Sequence, residues 1–237
     1  MDVRRPGMTT EEFFSAALQA RPKVAVFDCD GTLWRGDAGL HFMTWSLEHG
    51  LVSRDTADWI LGRYSSYRRG DVSELTICGE MTQIYAGLGE AEIRTAAARF
   101  FEDHIASQIF EEMLELTQRL AVQGAELWAV SSTNVWVIEE GVRRFGITPE
   151  RVLGARVCLR DGRATDQLLA VPTGEGKREA LHTVGFPQPD AVFGNSIHDA
   201  AMLAVAEHPF AVNPTPALQE LATAEGWPVY FPIAGPF

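Results

Sequence analysis

Two kinds of hydrophobic pattern divide the chain. Residues 23–32, "KVAVFDCDGT", are a short continuous apolar run that stops at an acidic residue and a glycine-containing turn. Such a run predicts a parallel-sheet strand, covered on both faces and ending in a loop. From 38 to about 107 no comparable run occurs. Side chains there repeat at helical spacing, as in His41-Phe42-Trp45 with Leu47 and Leu51, or Trp59-Ile60-Tyr64. Gly50, Gly70, Gly87 and Gly89 punctuate this stretch into about four helices.

Beyond it, helical and strand-like segments alternate. Helices are predicted over 109–122, 134–145 (closed by Gly146), 175–183, 200–206 and about 216–225. Strands are predicted over 126–130, 191–193, 209–212 and near 229–231, with 151–159 and 164–171 forming a hairpin about "RDGR". Before the first strand, 9–21 has a helical pattern, with Thr9 or Thr10 as cap and Phe13, Phe14, Ala17 and Leu18 on one face. This alternation predicts an α/β core whose parallel sheet has helices on both faces. The organisation expected is an N-terminal helical segment over 1–22, a core of 23–37 plus 108–237, and a helical insert over 38–107. Ligands of such sheets lie beyond the carboxyl ends of the strands, so the search for chemistry narrows to those tips.

Composition removes several alternatives. The chain has 237 residues, enough for a sizeable core, and its hydrophobic and charged fractions are those of a globular protein. A net charge of −12 disfavours nucleic acid or an anionic membrane as main partner, because both demand a basic surface. Cys29, Cys78 and Cys158 are far apart and cannot form a disulfide framework, which points to a reducing compartment. No apolar run would span a bilayer, and the acidic start "MDVRRPGMTTEEFF" resembles neither a signal nor a transit peptide. A cytoplasmic location is the expectation. Oligomeric state is not legible.

Four strand tips carry candidate chemistry. Asp28 and Asp30 are two apart in extended chain, so both carboxylates can face one site. Their repulsion raises one pKa unless a cation lies between them, which suits a nucleophile beside a general acid with a hard divalent ion. The same Asp-x-Asp-Gly-Thr is also ordinary turn chemistry. In "AVSSTN", residues 129–134, Ser131 stands where a hydroxyl reaches an anion above the sheet, while Ser132 or Thr133 could cap the next helix. Lys177 begins a helix in "TGEGKREAL", against the dipole preference, so it neutralises an anion or is solvated at the surface. In "FGNSIHDAAML", Asn195 and Asp199 can offer oxygens to a hard cation, or Asn195 or Ser196 can cap a helix.

Other motifs fail. Val171 and Arg178 break the P-loop pattern, His198 breaks G-x-S-x-G, and no Cys/His cluster points to zinc. His41, His49, His104, His182, His198 and His208 are scattered.

The ordered set "VFDCDGTL", "WAVSST", "GEGKREAL" and "FGNSIHDAAML" resembles the haloacid dehalogenase superfamily, in particular its phosphoserine phosphatase-like branch. The resemblance covers the core from Lys23 onward and implies a Rossmann-like three-layer core with a small all-helical cap inserted after the first strand. It implies that Asp28 attacks a phosphomonoester to form an aspartyl-phosphate and that Asp30 acts as general acid, then base. Ser131 and Lys177 would bind phosphoryl oxygens. Mg²⁺ would be held by Asp28, the Asp30 carbonyl and the fourth motif, with Asn195 and Asp199 as ligands. An acid at Asp30 favours phosphoryl chemistry over carbon–halogen hydrolysis within that superfamily.

One position departs from the family pattern: Asn195 stands where an aspartate is usual. Weaker Mg²⁺ binding is expected unless Asp199 enters the coordination sphere. Asp37 matches an acidic residue that contacts the substrate amine in that branch, or it merely starts a helix. Arg63, Arg68 and Arg69 are regional candidates for binding a substrate carboxylate. Trp34, Phe42 and Trp45 either line a pocket, where they could favour a quaternary amine, or form the core of the insert. The partner expected is a small phosphomonoester, such as phosphoserine or a phosphocholine- or phosphoethanolamine-like compound. A phosphotransferase using the same intermediate, or a non-catalytic phosphate-binding protein, are the alternatives.

Overall fold

Val24–Phe27 (β1) is the middle of a seven-stranded sheet in a computed structural model that describes residues 7–233. Its side chains alternate between two cores, as a two-residue period dictates. Ala25 and Phe27 join a large cluster on one face, and Val26 joins a smaller one on the other.

The other strands are β2 (Glu126–Asn134), β3 (Val152–Arg160), β4 (Arg163–Ala170), β5 (Ala191–Gly194), β6 (His208–Val212) and β7 (Val229–Tyr230). Their order is β4-β3-β2-β1-β5-β6-β7, with every pairing parallel except β3–β4. The antiparallel pair is the hairpin about "RDGR", where Asp161 and Gly162 take positive φ. That is the geometry a two-residue hairpin turn requires.

Helices cover both faces. The large core packs α1 (Thr10–Gln19), α6 (Glu111–Val122) and α7 (Val135–Val142) against the sheet through Phe13, Met113, Leu116 and Val137. The small core packs α8 (Glu175–Thr183), α9 (Ala200–Ala204) and α10 (Pro216–Glu225) through Leu181, Met202, Leu203 and Leu218. The arrangement is the three-layer α/β fold anticipated from the alternation of elements. Helix α1 begins with a capping box, in which Thr9 and Glu12 each satisfy a backbone N–H of the other. Cys29, Cys78 and Cys158 are all free thiols. No helix of the described residues is long and apolar enough to cross a membrane.

Between β1 and α6 lie α2 (Ala38–Glu48), α3 (Arg54–Arg68), α4 (Glu74–Gln83) and α5 (Glu90–Phe100). A π-helical turn, Phe101–Ile105, and a 3₁₀ turn, Ala106–Gln108, lead back to the core. The outgoing and returning connections are bonded side by side: Arg35 N–H donates to Gln108 O, and Phe110 N–H to Leu33 O. The helical layer is also fastened to the hairpin, through Gly87 N–H to Ala164 O, Ala164 N–H to Leu88 O and Glu90 N–H to Gly162 O.

Strand β2 runs on to Asn134, beyond the 126–130 its apolar run predicted. Between Val130 and Asn134 its register against β3 shifts, so four steps of β2 oppose two of β3. This bulge bends the polar Ser131-Ser132-Thr133 over the carboxyl edge of the sheet. The cap of α7 is then Asn134, whose Oδ1 accepts from Val137 N–H, and not Ser132 or Thr133.

Candidate active site

Four loops meet above the carboxyl ends of β1, β2 and β5. Asp28 continues β1, its N–H donating to Phe193 O of β5 at 2.8 Å, and its side chain is buried. Asp28 Oδ1 accepts from Lys177 Nζ at 2.7 Å, and Oδ2 from Thr32 Oγ1 at 2.9 Å. Lys177 comes from the first turn of α8 and is also buried. Its ammonium reaches Asp199 Oδ1 at 2.5 Å, so it bridges two carboxylates.

Asp199 is wholly enclosed. While Oδ1 holds Lys177, Oδ2 accepts from the backbone N–H groups of Asn195 and Ser196, each at 2.9 Å, and from Ser196 Oγ. Both of its oxygens thus have donors. Asn195 is half-buried and packed onto the loop that follows Asp28: a Cβ at Gly31 would lie 1.8 Å from Asn195 Nδ2. Gly31 also has φ +81, so only glycine suits that position on both counts. Ser196, the alternative cap, does cap the short 3₁₀ turn Ile197–Asp199.

Asp30 is bonded on all sides. Oδ1 accepts from the Trp34 indole N–H and the Ala38 N–H, each at 2.7 Å, and Oδ2 accepts from Thr133 Oγ1 at 2.7 Å. Ser131 is buried beside it. Its oxygen accepts from Thr133 N–H at 3.1 Å, which leaves its own O–H to donate elsewhere.

Electrostatics follow from this crowding. Burial raises Asp28 to about 7, with the Asp199 charge adding to the shift and Lys177 opposing it. Desolvation raises Asp30 to about 6, Asp37 adds to this, and the Ala38, Thr133 and Trp34 donors oppose it. Burial opposes the charge of Lys177, but Asp199 and Asp28 outweigh it and hold the ammonium above its ordinary range. One ammonium therefore pairs with Asp28 and Asp199, while Asp30, a third carboxylate at the cavity, is held by the neutral Trp34, Ala38 and Thr133 donors, a charge deficit that a hard divalent cation would offset. Among the described residues no cluster of three or more His, Cys, Asp or Glu is arranged as a metal site. The groups that would hold such an ion are the Asp28 carboxylate, the Asp30 backbone carbonyl and the Asn195 side-chain amide, whose hard oxygens are of the kind that suits Mg²⁺.

Asp28, Asp30, Ser131, Lys177 and Asn195 floor a cavity of about 750 Å³ between the sheet edge and the helical layer, with Asp199 enclosed behind them. The helical layer contributes Tyr64, Tyr67, Arg68, Arg69, Glu74 and Met81. Glu74 ties the two layers together: it accepts from Thr173 Oγ1 at 2.8 Å and pairs with His198, whose pKa is raised chiefly by that hydrogen bond.

Asp37 both caps α2, accepting from Leu40 N–H at 2.8 Å, and lines the cavity. Arg63 is paired with Glu80 and does not line it. Arg68 and Arg69 do, though Arg69 is held by Asp71. Trp34 and Phe42 are fully buried and Trp45 nearly so, and none of them lines the cavity. Phe42 and Trp45 pack with Phe100 inside the helical layer. The cavity's aromatic wall is Tyr64 and Tyr67 instead. In the sequence Tyr64 stands out only through the helical spacing Trp59-Ile60-Tyr64, which does not say which face looks inward, and Tyr67 does not stand out at all.

The haloacid dehalogenase-like hydrolase family model matches residues 25–204. Phosphoserine phosphatase SerB1 of Mycobacterium tuberculosis is 25% identical over 215 residues, covering 86% of this chain and 69% of that one. Histidinol-phosphatase of Neisseria meningitidis serogroup C is 26% identical over 217 residues, covering 87% of this chain and 97% of that one. A solved phosphoserine phosphatase, described as a phospho-aspartyl intermediate analogue, superposes with a TM-score of 0.61 at 15% identity, over 90% of this chain and 94% of that one. With four site-bearing loops on one sheet edge and a match over most of its length, the chain belongs to the haloacid dehalogenase-like hydrolases and is an enzyme of their phosphatase type.

Proposed function

We propose that this phosphatase hydrolyses a small phosphomonoester with Mg²⁺, through an aspartyl-phosphate on Asp28. The observation that carries the reading is Asp28, Asp30 and Lys177 together on the cavity floor, with the enclosed Asp199 bonded to Lys177 behind them. Asp28 attacks phosphorus, and the bond from phosphorus to the ester oxygen breaks as Asp30 gives that oxygen its proton. Asp30 then takes a proton from water, whose oxygen attacks phosphorus and displaces the Asp28 carboxylate. An acid near neutral pKa suits both halves of that cycle. Ser131 O–H and Lys177 hold phosphoryl oxygens and offset the charge that develops on them.

Mg²⁺ supplies the positive charge that lets an anionic nucleophile approach an anionic ester. Asp28, the Asp30 carbonyl and Asn195 are the groups that would hold it. Asp199, already bonded through both oxygens, serves this arrangement by aiming Lys177 and the Asn195 loop.

The substrate is small enough to be enclosed under Tyr64 and Tyr67, and Asp37 on the cavity wall favours a substrate amine. The names of the relatives, phosphoserine and histidinol phosphatases, agree with an amine-bearing ester. The test is a phosphate-release screen over amino, sugar, nucleotide and choline-type phosphomonoesters with Mg²⁺. Mg²⁺-dependent release from an amine-bearing ester is expected. Preference for an ester lacking an amine would overturn the substrate assignment.

A further inference from the structure

Asp30 is held by three donors, two from the segment that follows it and one from β2, and they are not equivalent. The Trp34 indole N–H and the Ala38 amide N–H both point to Oδ1. Each is a donor only and cannot accept a proton in return. Thr133 Oγ1 meets Oδ2, and a hydroxyl can donate to a carboxylate or accept from a carboxylic acid. A proton on Oδ1 would face two N–H groups, whereas a proton on Oδ2 has a neighbour that can accept as well as donate.

The contact is built for. Thr133 lies on the β2 bulge, 103 residues from Asp30, and its hydroxyl passes over Gly39 in the first turn of α2. A Cβ at Gly39 would sit 2.6 Å from Thr133 Oγ1, so that glycine leaves the hydroxyl its space. Trp34 is fully buried, wedged edge-on against Phe101, so its N–H has a fixed direction.

We infer that Thr133 and Trp34 are positioning residues for proton delivery, Trp34 locking Asp30 Oδ1 as an acceptor so that Oδ2, beside Thr133, carries the proton to the leaving oxygen. This rests on the reading of Asp30 as general acid. The step is the one already written: the bond from phosphorus to the ester oxygen breaks, and the proton on Oδ2 passes to that oxygen. In the second half the proton returns from water to Oδ2, beside the Thr133 hydroxyl.

The consequence is dependence on the leaving group. An ester of an acidic phenol departs without a proton and does not need the positioned acid, whereas an ester of a weakly acidic phenol does. The experiment compares kcat/KM with Mg²⁺ for 4-nitrophenyl phosphate and phenyl phosphate, in wild type, Thr133→Val, Thr133→Ser, Trp34→Phe and Asp30→Asn. Thr133→Val and Trp34→Phe should each lower the phenyl phosphate value about 10- to 100-fold, and the 4-nitrophenyl phosphate value by only a few-fold. Thr133→Ser, which keeps the hydroxyl, should restore the phenyl phosphate rate. Equal losses on both esters in Thr133→Val and Trp34→Phe, or no rescue by Thr133→Ser, would overturn the inference, because a structural defect does not depend on the leaving group. Asp30→Asn separates the two levels. If it too falls equally on both esters, the general-acid reading itself fails. If it discriminates while the other variants do not, only the positioning role fails.

Discussion

Lys177 Nζ lies 2.5 Å from Asp199 Oδ1, and both side chains are buried. With Asp28 on its other side, the lysine balances two buried carboxylates at once. Lys177→Met leaves both facing each other uncompensated. Removing one partner of a buried ion pair costs about 3–5 kcal/mol, which urea denaturation at neutral pH would measure. Adding Asp199→Asn to Lys177→Met should recover part of that loss. Catalysis should fall by at least about 100-fold, as expected for losing a donor to the developing charge.

Asn195 sets a second prediction. Asn195→Asp adds a negative charge beside Gly31 and the Asp28–Asp30 loop, so the Mg²⁺ concentration giving half-maximal activity should fall by about tenfold. No change in that concentration would mean that position 195 does not face the ion.

Stability and pH are linked through Asp28 and Asp30, raised to about 7 and about 6 from a common 3.8. A carboxyl raised on folding binds its proton more tightly in the folded state. Its contribution is full below the unfolded value and disappears as pH rises through the folded one. Without Mg²⁺ this contribution to the thermal midpoint should decline between about pH 4 and about pH 7. Mg²⁺ binds the charged forms, so it should raise the midpoint more at about pH 8 than at about pH 5. Calorimetry of wild type and Asp28→Asn checks this: the substitution should shrink the pH dependence of the Mg²⁺ effect.

Gly39→Ala separates helix propensity from the site. In most helices this change gains about 1 kcal/mol. Here the new Cβ meets Thr133 Oγ1 at 2.6 Å. The thermal midpoint should fail to rise, and kcat/KM for phenyl phosphate should fall by about tenfold or more. A stabilised, fully active variant would show that the hydroxyl has somewhere else to go.

Much of the fold can be read from residues whose neighbours are close in sequence. The apolar runs before Asp28 and Gly194, and the helical spacing around Phe42 and Ile60, record local burial, and these segments form the strands and helices they predict. The spacing of Asp28 and Asp30 likewise brings both carboxylates to one cavity, and the tips carrying Ser131, Lys177 and Asn195 follow from the alternation of elements. What escapes is contact across long separations. Ser131-Ser132-Thr133 looks like the end of a strand, yet β2 continues because β3 tolerates a bulge there. Trp34 reads as a pocket-lining or core aromatic, and only the folded loop turns its N–H onto Asp30. Glu74 and His198 pair across the two layers with no periodicity to announce it.

The most direct test of the central claim is Mg²⁺-dependent phosphate release by Asp28→Asn beside wild type, on the same panel of phosphomonoesters. The substitution keeps shape and removes the nucleophile, so release should fall to background for every ester that wild type hydrolyses, while the variant remains folded. Retention of wild-type-like release by Asp28→Asn would contradict an aspartyl-phosphate on this residue.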